Sequence, residues 1–473
     1  MLKSSSPPVD ATDRTARLCA RVFLLVGLPC LLLLALVTGP MGVPDEGAHF
    51  LRAVAIAEGG VLPLVRRDAP PGLIEPRSAG GMVDAGAEAL QRNVPFDSLH
   101  DARYKLTRAD MAKLANIPAT DTAIYARHSN TAIYPPLLYA VPAVVIAVAD
   151  AVGASPLAWL YAARLVNALL AGLLLWWAIG RARDAAPFLL VGATLPVMLF
   201  QGASVSADAL LLPLVAVFAS ILVRLSARIA TSPRENGMAA LATAVIAIGK
   251  VAYLPLAVLP PLAARLADGR WSPRARTLLA AAVAAVVLWL GWAAIVQGKV
   301  FSIRPAVLVD PTAQLRGMLA EPIETARFVG YTMIRSAWYY LRRSVGMHLG
   351  WGEIEFPTAF TMAALAMLFL SAIPAASPDR RSGRLLGAAL VAALVSYVAV
   401  FALIYMQFNA VGAPEIVGVQ GRYLTPLLLV LLALTPRLAL GKRMAIGVGV
   451  VAGWSVLSAV TTLWTVFARY WIA

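Results

Sequence analysis

Asp45 and Glu46 stand side by side just after a long apolar run, and Asp208, Lys250 and Arg422 lie within or at the ends of other apolar runs. These residue types can do chemistry together. Carboxylates can take a proton from a hydroxyl or hold a divalent cation through oxygen. Lysine and arginine suit a phosphate, which arginine can grip through two parallel hydrogen bonds. An ionisable group inside a membrane costs about 2.5–3.5 kcal/mol on insertion scales, so each is a functional candidate by default. Asp150 and Arg164 belong to the same small set and read as a structural pair.

Whether a membrane is the solvent follows from composition. Of 473 residues, 60% are hydrophobic and only 14% charged, against roughly 25% charged in an ordinary soluble domain. Mean hydropathy is +0.75. Such a chain is neither a soluble enzyme, a disordered tail nor a secreted disulfide scaffold. Cys19 and Cys30 lie on one predicted helix about 16 Å apart, too far to bridge, and read as apolar filler. No cysteine or histidine spacing resembles a zinc site. The formal charge of +15 would suggest nucleic acid unless the charges have another address.

They have one. Long apolar runs alternate with short basic connectors, giving predicted spans near 18–40, 157–180, 186–203, 204–226, 277–298, 357–374, 385–408, 422–438 and 444–467. Six basic clusters begin at Lys3, Arg181, Arg224, Arg265, Arg380 and Arg437. Together they hold 19 basic and 6 acidic side chains. Basic short loops face the cytoplasm. Two of these clusters flank 238–264, so this stretch reads as a hairpin of two short helices with Lys250 at its outer tip. By the same parity 134–152 cannot cross and reads as an interfacial helix. The first apolar run is too long for a signal peptide and is expected to stay attached.

The fold expected is therefore an all-α integral membrane protein with about eleven transmembrane helices (range 10–13). A cytoplasmic tail (1–17) precedes the first transmembrane helix (18–40). A long extracytoplasmic loop with interfacial helices (41–156) leads to a transmembrane core (157–298). A second outer loop (299–356) and C-terminal transmembrane helices (357–473) complete the chain. The outer loops are nearly neutral, with 10 basic and 11 acidic residues in 41–133 and 7 and 5 in 299–355. By this topology Asp45, Glu46, Asp208, Lys250 and Arg422 all fall at the outer face. Carboxylates and cations gathered at a membrane surface fit a lipid-phosphate substrate.

The segment Pro44-Asp45-Glu46-Gly47-Ala48-His49-Phe50-Leu51-Arg52, followed by Glu58-Gly59, resembles the signature of a bacterial family of predicted multi-pass membrane proteins of unknown function. Tyr134-Pro135-Pro136, Ser206-Ala207-Asp208, Lys250 with Tyr253 and Pro255, Gly350-Trp351 and Gly418-Val419-Gln420-Gly421-Arg422-Tyr423 match it in order. That family in turn resembles the GT-C superfamily of membrane glycosyltransferases, which use polyprenyl- or dolichyl-phosphate sugars on the outer side of the membrane.

The resemblance implies an inverting glycosyltransferase of the bacterial inner membrane. It would move a sugar from a polyprenyl (undecaprenyl) phosphate to an acceptor hydroxyl of a cell-envelope glycan or lipid. Asp45, with Glu46, would be catalytic. Arg422, Lys250, His49 and Tyr423 would contact the lipid phosphate and nearby substrate. Asp208 and Glu46 would hold Mg2+ or Mn2+, and no organic cofactor is expected. A flippase or a non-catalytic assembly subunit is the alternative. Trp338, Tyr339, Tyr340 and Trp351 could stack on sugars, but aromatic residues collect at membrane interfaces anyway.

Overall fold

The computed structural model describes residues 9–68, 72, 74–227, 231–302, 304, 307–373, 380–435 and 443–472, with backbone alone at 9–11, 380–382 and 443–446. The Ser4–Ser6 tail, Lys3, Arg228, Asp379, Arg437 and Lys442 lie outside the described residues, as do the side chains of Asp10, Arg380, Arg381 and Arg443.

Helices dominate. The apolar ones are α1 (Val9–Val37), α3 (Ala140–Ala151), α4 (Pro156–Arg181), α5 (Ala186–Ala193), α6 (Pro196–Gly202), α7 (Asp208–Ser226), α8 (Pro233–Gly249), α9 (Leu259–Asp268), α10 (Pro273–Val296), α12 (Thr358–Leu370), α13 (Arg380–Phe408), α14 (Thr425–Leu434) and α15 (Arg443–Trp471). The loop helix α2 (Glu46–Ala57) follows α1, and α11 (Pro322–Ser344) precedes α12. Three starts share one local signal, a Ser-Pro pair. Ser155, Ser232 and Ser272 each accept a hydrogen bond from the third backbone N–H of the helix they open, with proline in the first turn where no N–H is needed.

Among the described residues seven helices are long and apolar enough to cross a membrane, or eight if one bent pair is counted as a span. That pair replaces the single span expected at 186–203. Helices α5 and α6 meet at 74°. The cause is Pro196, which pushes Leu195 into an extended conformation (φ −61°, ψ 141°). The break leaves the Thr194 carbonyl free of the helix, and Ser458 Oγ on α15 donates to it at 2.6 Å. The stretch 238–264 is a pair of helices, α8 and α9, joined through Lys250 and a 3-10 segment Val251–Val258. Helices α12 and α14, on the expected spans 357–374 and 422–438, have 13 and 10 residues. At 1.5 Å per residue they reach about 20 and 15 Å, short of a 30 Å hydrocarbon core.

The first loop is not purely helical. It carries an antiparallel sheet of β1 (Leu64–Arg66), β2 (Ser78–Asp84) and β3 (Ala123–Arg127), with Val65 opposite Ala79 and Met82 opposite Tyr125. A second, two-residue pairing joins β4 (His348–Leu349) to β5 (Ile354–Glu355). These strands are too short to show an alternation that sequence reading could find. Helix α3 packs on α2 and α4 and turns Val144 and Val148 outward. Helix α7 is enclosed by its neighbours, so its first residue, Asp208, is held deep among helices.

Candidate functional site

Of the five charged residues expected at the outer face, Asp45, Asp208, Lys250 and Arg422 converge and Glu46 does not. Asp45 sits at the N-terminus of α2 in the left-handed region (φ 65°). This costs a non-glycine residue roughly 1–2 kcal/mol, least for Asp and Asn. Its side chain does not cap the helix. Instead Oδ1 accepts from Asn130 Nδ2 at 3.0 Å and Oδ2 from Arg422 Nη2 at 3.2 Å. A strained residue that forgoes its own cap for two distant partners is held for something other than local stability.

Arg422 lies in a 3-10 turn, Gly421–Tyr423, ahead of α14. Gly421 is needed there, because a Cβ would meet the Arg343 Cβ at 2.3 Å, where α11 ends against this turn. Arg422 Nε is 3.2 Å from Asp208 Oδ2, and Lys250 Nζ is 2.5 Å from Asp208 Oδ1. Asp208 therefore serves as no helix cap; its carboxylate bridges two cations. The order Lys250–Asp208–Arg422–Asp45 alternates in sign and sums to zero. All four side chains are largely buried, Asp45 being the most open at 22%. Tyr423 lies against both cations, its ring 4.5 Å from Lys250 Nζ and 5.7 Å from Arg422 Cζ. The Tyr253 hydroxyl donates to the Tyr423 carbonyl at 2.9 Å and fixes this turn.

His49, one turn along α2 from Asp45, is wedged between Tyr134 and Tyr139 and shares a 2.7 Å hydrogen bond with the Tyr139 hydroxyl. Burial pushes its imidazole down to about 4, so it is neutral near pH 7. Arg52 is fully buried and donates to the carbonyls of Gly60, Val61 and Tyr134, so it shapes the loop instead of the site.

Glu46 is the exception. It points away from the cluster and is fully buried against Arg164, with Nε–Oε1 2.8 Å and Nη2–Oε2 2.5 Å. The Val205 N–H also donates to Oε1 at 2.9 Å. The expected Arg164–Asp150 pair is thus corrected: Arg164 belongs to Glu46, and Asp150 is exposed. The same geometry bears on the metal expectation. Glu46 is engaged by Arg164 and Asp208 by Lys250 and Arg422. Among the described residues no three His, Cys, Asp or Glu gather as a ligand set. Both carboxylates named in that expectation are held by cationic side chains.

Beside the cluster lies a cavity of about 380 Å3. Lys250, Tyr134 and Tyr423 form its polar wall, and Trp289, Trp292 and Leu403 part of its apolar one. It lies where α10 meets the 3-10 segment and α13. The α10 surface is mostly uncovered, with Val283, Val287 and Leu290 exposed, so the cavity opens beside helices that face lipid.

Sequence reading missed two residues. Asn130, in the short helix Ser129–Ala132, carried no signal beyond its type. Glu353 is the second. Both carboxylate oxygens are buried over their own turn, beside the backbone N–H groups of Trp351, Gly352 and Glu353. Burial raises it to about 7, partly offset by nearby backbone N–H groups and Arg469. The folded protein thus holds this proton more tightly than the unfolded chain. Stability from this group falls as pH rises from about 4.5 to about 7 and is flat above. Glu353→Gln is expected to match wild type at pH 4.5 and exceed it by about 1–2 kcal/mol at pH 8, after discounting for partial exposure. Thermal melting at both values checks this; a gap independent of pH would refute the assignment.

Fold and site define a helical membrane protein with a buried, charge-alternating cluster beside an apolar cavity. The chain belongs to the family described as predicted membrane protein (DUF2142), whose model matches residues 28–431. No curated protein and no solved structure is a significant match.

Proposed function

We propose that the protein is a glycosyltransferase that moves a sugar from a polyprenyl-phosphate carrier to an acceptor hydroxyl of a surface glycan, lipid or cell-wall polymer. We place the reaction at the extracytoplasmic face of a bacterial inner membrane, on the orientation set by the basic clusters. One observation carries the reading: Lys250 and Tyr423 join the Asp45–Arg422–Asp208 cluster to an apolar cavity beside lipid-facing helices. A lipid with one anionic headgroup matches that division into apolar and cationic parts.

In this reading the phosphate takes over Arg422 and Lys250 from the carboxylates that hold them. The acceptor oxygen attacks the anomeric carbon, and the carbon–oxygen bond to phosphate breaks. Its electron pair stays on the phosphate oxygen beside the two cations. The acceptor proton passes to Asp45, released from Arg422. A single displacement inverts the anomeric centre. A flippase would need charged groups along a path; here they meet at one place.

Farnesyl phosphate is a short probe of the cavity. Its affinity for the purified full chain is expected to fall about tenfold or more in Arg422→Gln and in Lys250→Gln, as a lost charge-assisted contact implies. Farnesol should bind alike to all three. Equal affinity of the phosphate for wild type and both variants would remove the headgroup site.

A further inference from the structure

Helix α11 has an apolar side that no other element covers. At 3.6 residues per turn Val329, Met333, Tyr340 and Ser344 share one side, and all four are buried against the protein. A second side, roughly 130° round the helix, carries Ile323, Tyr331, Ile334 and Trp338 within an arc of about 80°. All four are exposed, Ile334 at 79%. Arg335 and Arg342 follow along the edge of this second side. Arg335 is exposed and has no hydrogen-bond or ion-pair partner among the described residues. Arg342 holds its Cζ 5.8 Å from the centre of the Trp338 ring. The one acid on α11, Glu324, is taken by Arg327 at 2.6 Å, so Arg335, Arg342 and Arg343 face no carboxylate of their own helix.

How α11 lies follows from its crossing with α13. Phe328 meets Tyr405 (ring centres 5.2 Å apart) and Tyr340 meets Phe401 (5.5 Å). Twelve residues of α11, about 18 Å, are matched by four residues of α13, about 6 Å. Helix α11 therefore runs across α13 and not along it. Since α13 is long and apolar enough to cross a membrane, a helix laid across it runs closer to the membrane plane than to its normal. The crossing is at one end of that span. Leu390, Val391, Leu394 and Val395 of α13 are exposed, whereas Phe401 and Tyr405 are covered. It is the end that carries the Asp45 cluster, because α11 finishes at the Arg422 turn, where its Ser344 carbonyl accepts from Thr425 Oγ1 at 2.8 Å.

We infer that α11 is an interfacial helix that seats on the headgroup layer of the bilayer, with Ile323, Tyr331, Ile334 and Trp338 at the tops of the acyl chains and Arg335 and Arg342 on anionic lipid headgroups. A helix in the membrane plane needs one side for lipid and one for headgroups, and α11 has both beside the side it gives to the protein. The indole of Trp338 next to the Arg342 guanidinium places an apolar ring and a cation together, as the boundary between chains and headgroups favours. The excess of arginine over acid decides for anionic over zwitterionic lipid. This surface is separate from the Lys250 cavity and holds whether or not that cavity takes a lipid phosphate.

Depth and lipid preference test the two halves of this separately. The full chain, with the buried Cys19 and Cys30 replaced by alanine, is placed in nanodiscs of phosphatidylcholine and phosphatidylglycerol. A nitroxide is attached at Ile334→Cys or at Tyr339→Cys, both exposed positions on different sides of α11. Collisions with molecular oxygen should dominate at 334, and collisions with a water-soluble nickel chelate at 339. Chelate access at both positions would put the apolar side in water, open to a protein partner, and oxygen alone at both would bury α11 as a span; either result overturns the proposal. Native mass spectrometry then reads the headgroup. Phosphatidylglycerol should bind the wild-type chain about fivefold or more tightly than phosphatidylcholine, and Arg335→Gln/Arg342→Gln should lose that preference. Equal binding of the two lipids by wild type, or a preference kept in the double variant, would remove the anionic site. Neither readout involves the Arg422 cluster, so this inference and the sugar-transfer reading can fail independently.

Discussion

Replacing Arg164 with methionine, or Glu46 with glutamine, is expected to destabilise the protein by about 3–5 kcal/mol, the usual cost of breaking a buried ion pair from one side. Both side chains are fully inaccessible. Besides Glu46, Arg164 donates to the carbonyls of Thr38 (2.7 Å) and Gly39 (2.9 Å), just past the end of α1. Glu46 in turn accepts from the Val205 N–H, three residues before α7. One pair thus ties together α1, α2, α4 and the entry to α7. Taking away Glu46 strands a guanidinium with no route to water, and taking away Arg164 strands a carboxylate. The double variant Glu46→Leu/Arg164→Met should recover much of the loss, because no charge is then left buried. Melting of the detergent-solubilised chain checks this. A double variant as unstable as the sum of the singles would show that the pair is not what holds these elements.

That pair also shows where sequence reading stops. Charges isolated in apolar runs are legible, because each must be matched by something. Asp45, Asp208, Lys250 and Arg422 were expected at one level and do meet. Which charge meets which was not legible. Arg164 could be assigned to Asp150 in sequence because both stand near 134–164. Its partner is 118 residues away, brought to it by the turn between α1 and α2. Adjacency also made Asp45 and Glu46 look like one functional unit. The left-handed conformation at Asp45 sends its side chain to Asn130 and Arg422 while Glu46 enters α2 and points at Arg164. The fold divides in the same way. Long apolar helices were readable from hydropathy alone. The break between α5 and α6 needed Pro196 to be read as a bend inside an otherwise adequate span. The sheet β1–β3 depends on pairing residues up to 47 apart in sequence (Gly80 with Arg127), and strands of three to seven residues carry too little pattern to announce it.

Asp45→Asn is expected to abolish sugar transfer, by about 10²–10⁴-fold, the usual range for losing a positioned acid–base group. The variant suits the question for three structural reasons. Asparagine is the other residue that accepts a left-handed backbone at modest cost, so φ 65° is kept. Its amide oxygen can still accept from Arg422, as the carboxylate does at 3.2 Å. Asp45 is also the most open of the four charges, so its neutralisation leaves the least burial uncompensated. Binding and chemistry should then separate. With one competing anion removed from Arg422, farnesyl phosphate should bind the variant at least as tightly as wild type. Transfer from a polyprenyl-phosphate sugar should be lost because the acceptor proton has no base. Asp208→Asn should behave differently. It removes the carboxylate that Lys250 and Arg422 share, leaving two largely buried cations facing each other until a phosphate arrives. That variant should lose thermal stability when empty and regain it with farnesyl phosphate. Full transfer by Asp45→Asn would take the base role from Asp45. Loss of lipid binding in the same variant would mean that Asp45 positions Arg422 and takes no proton.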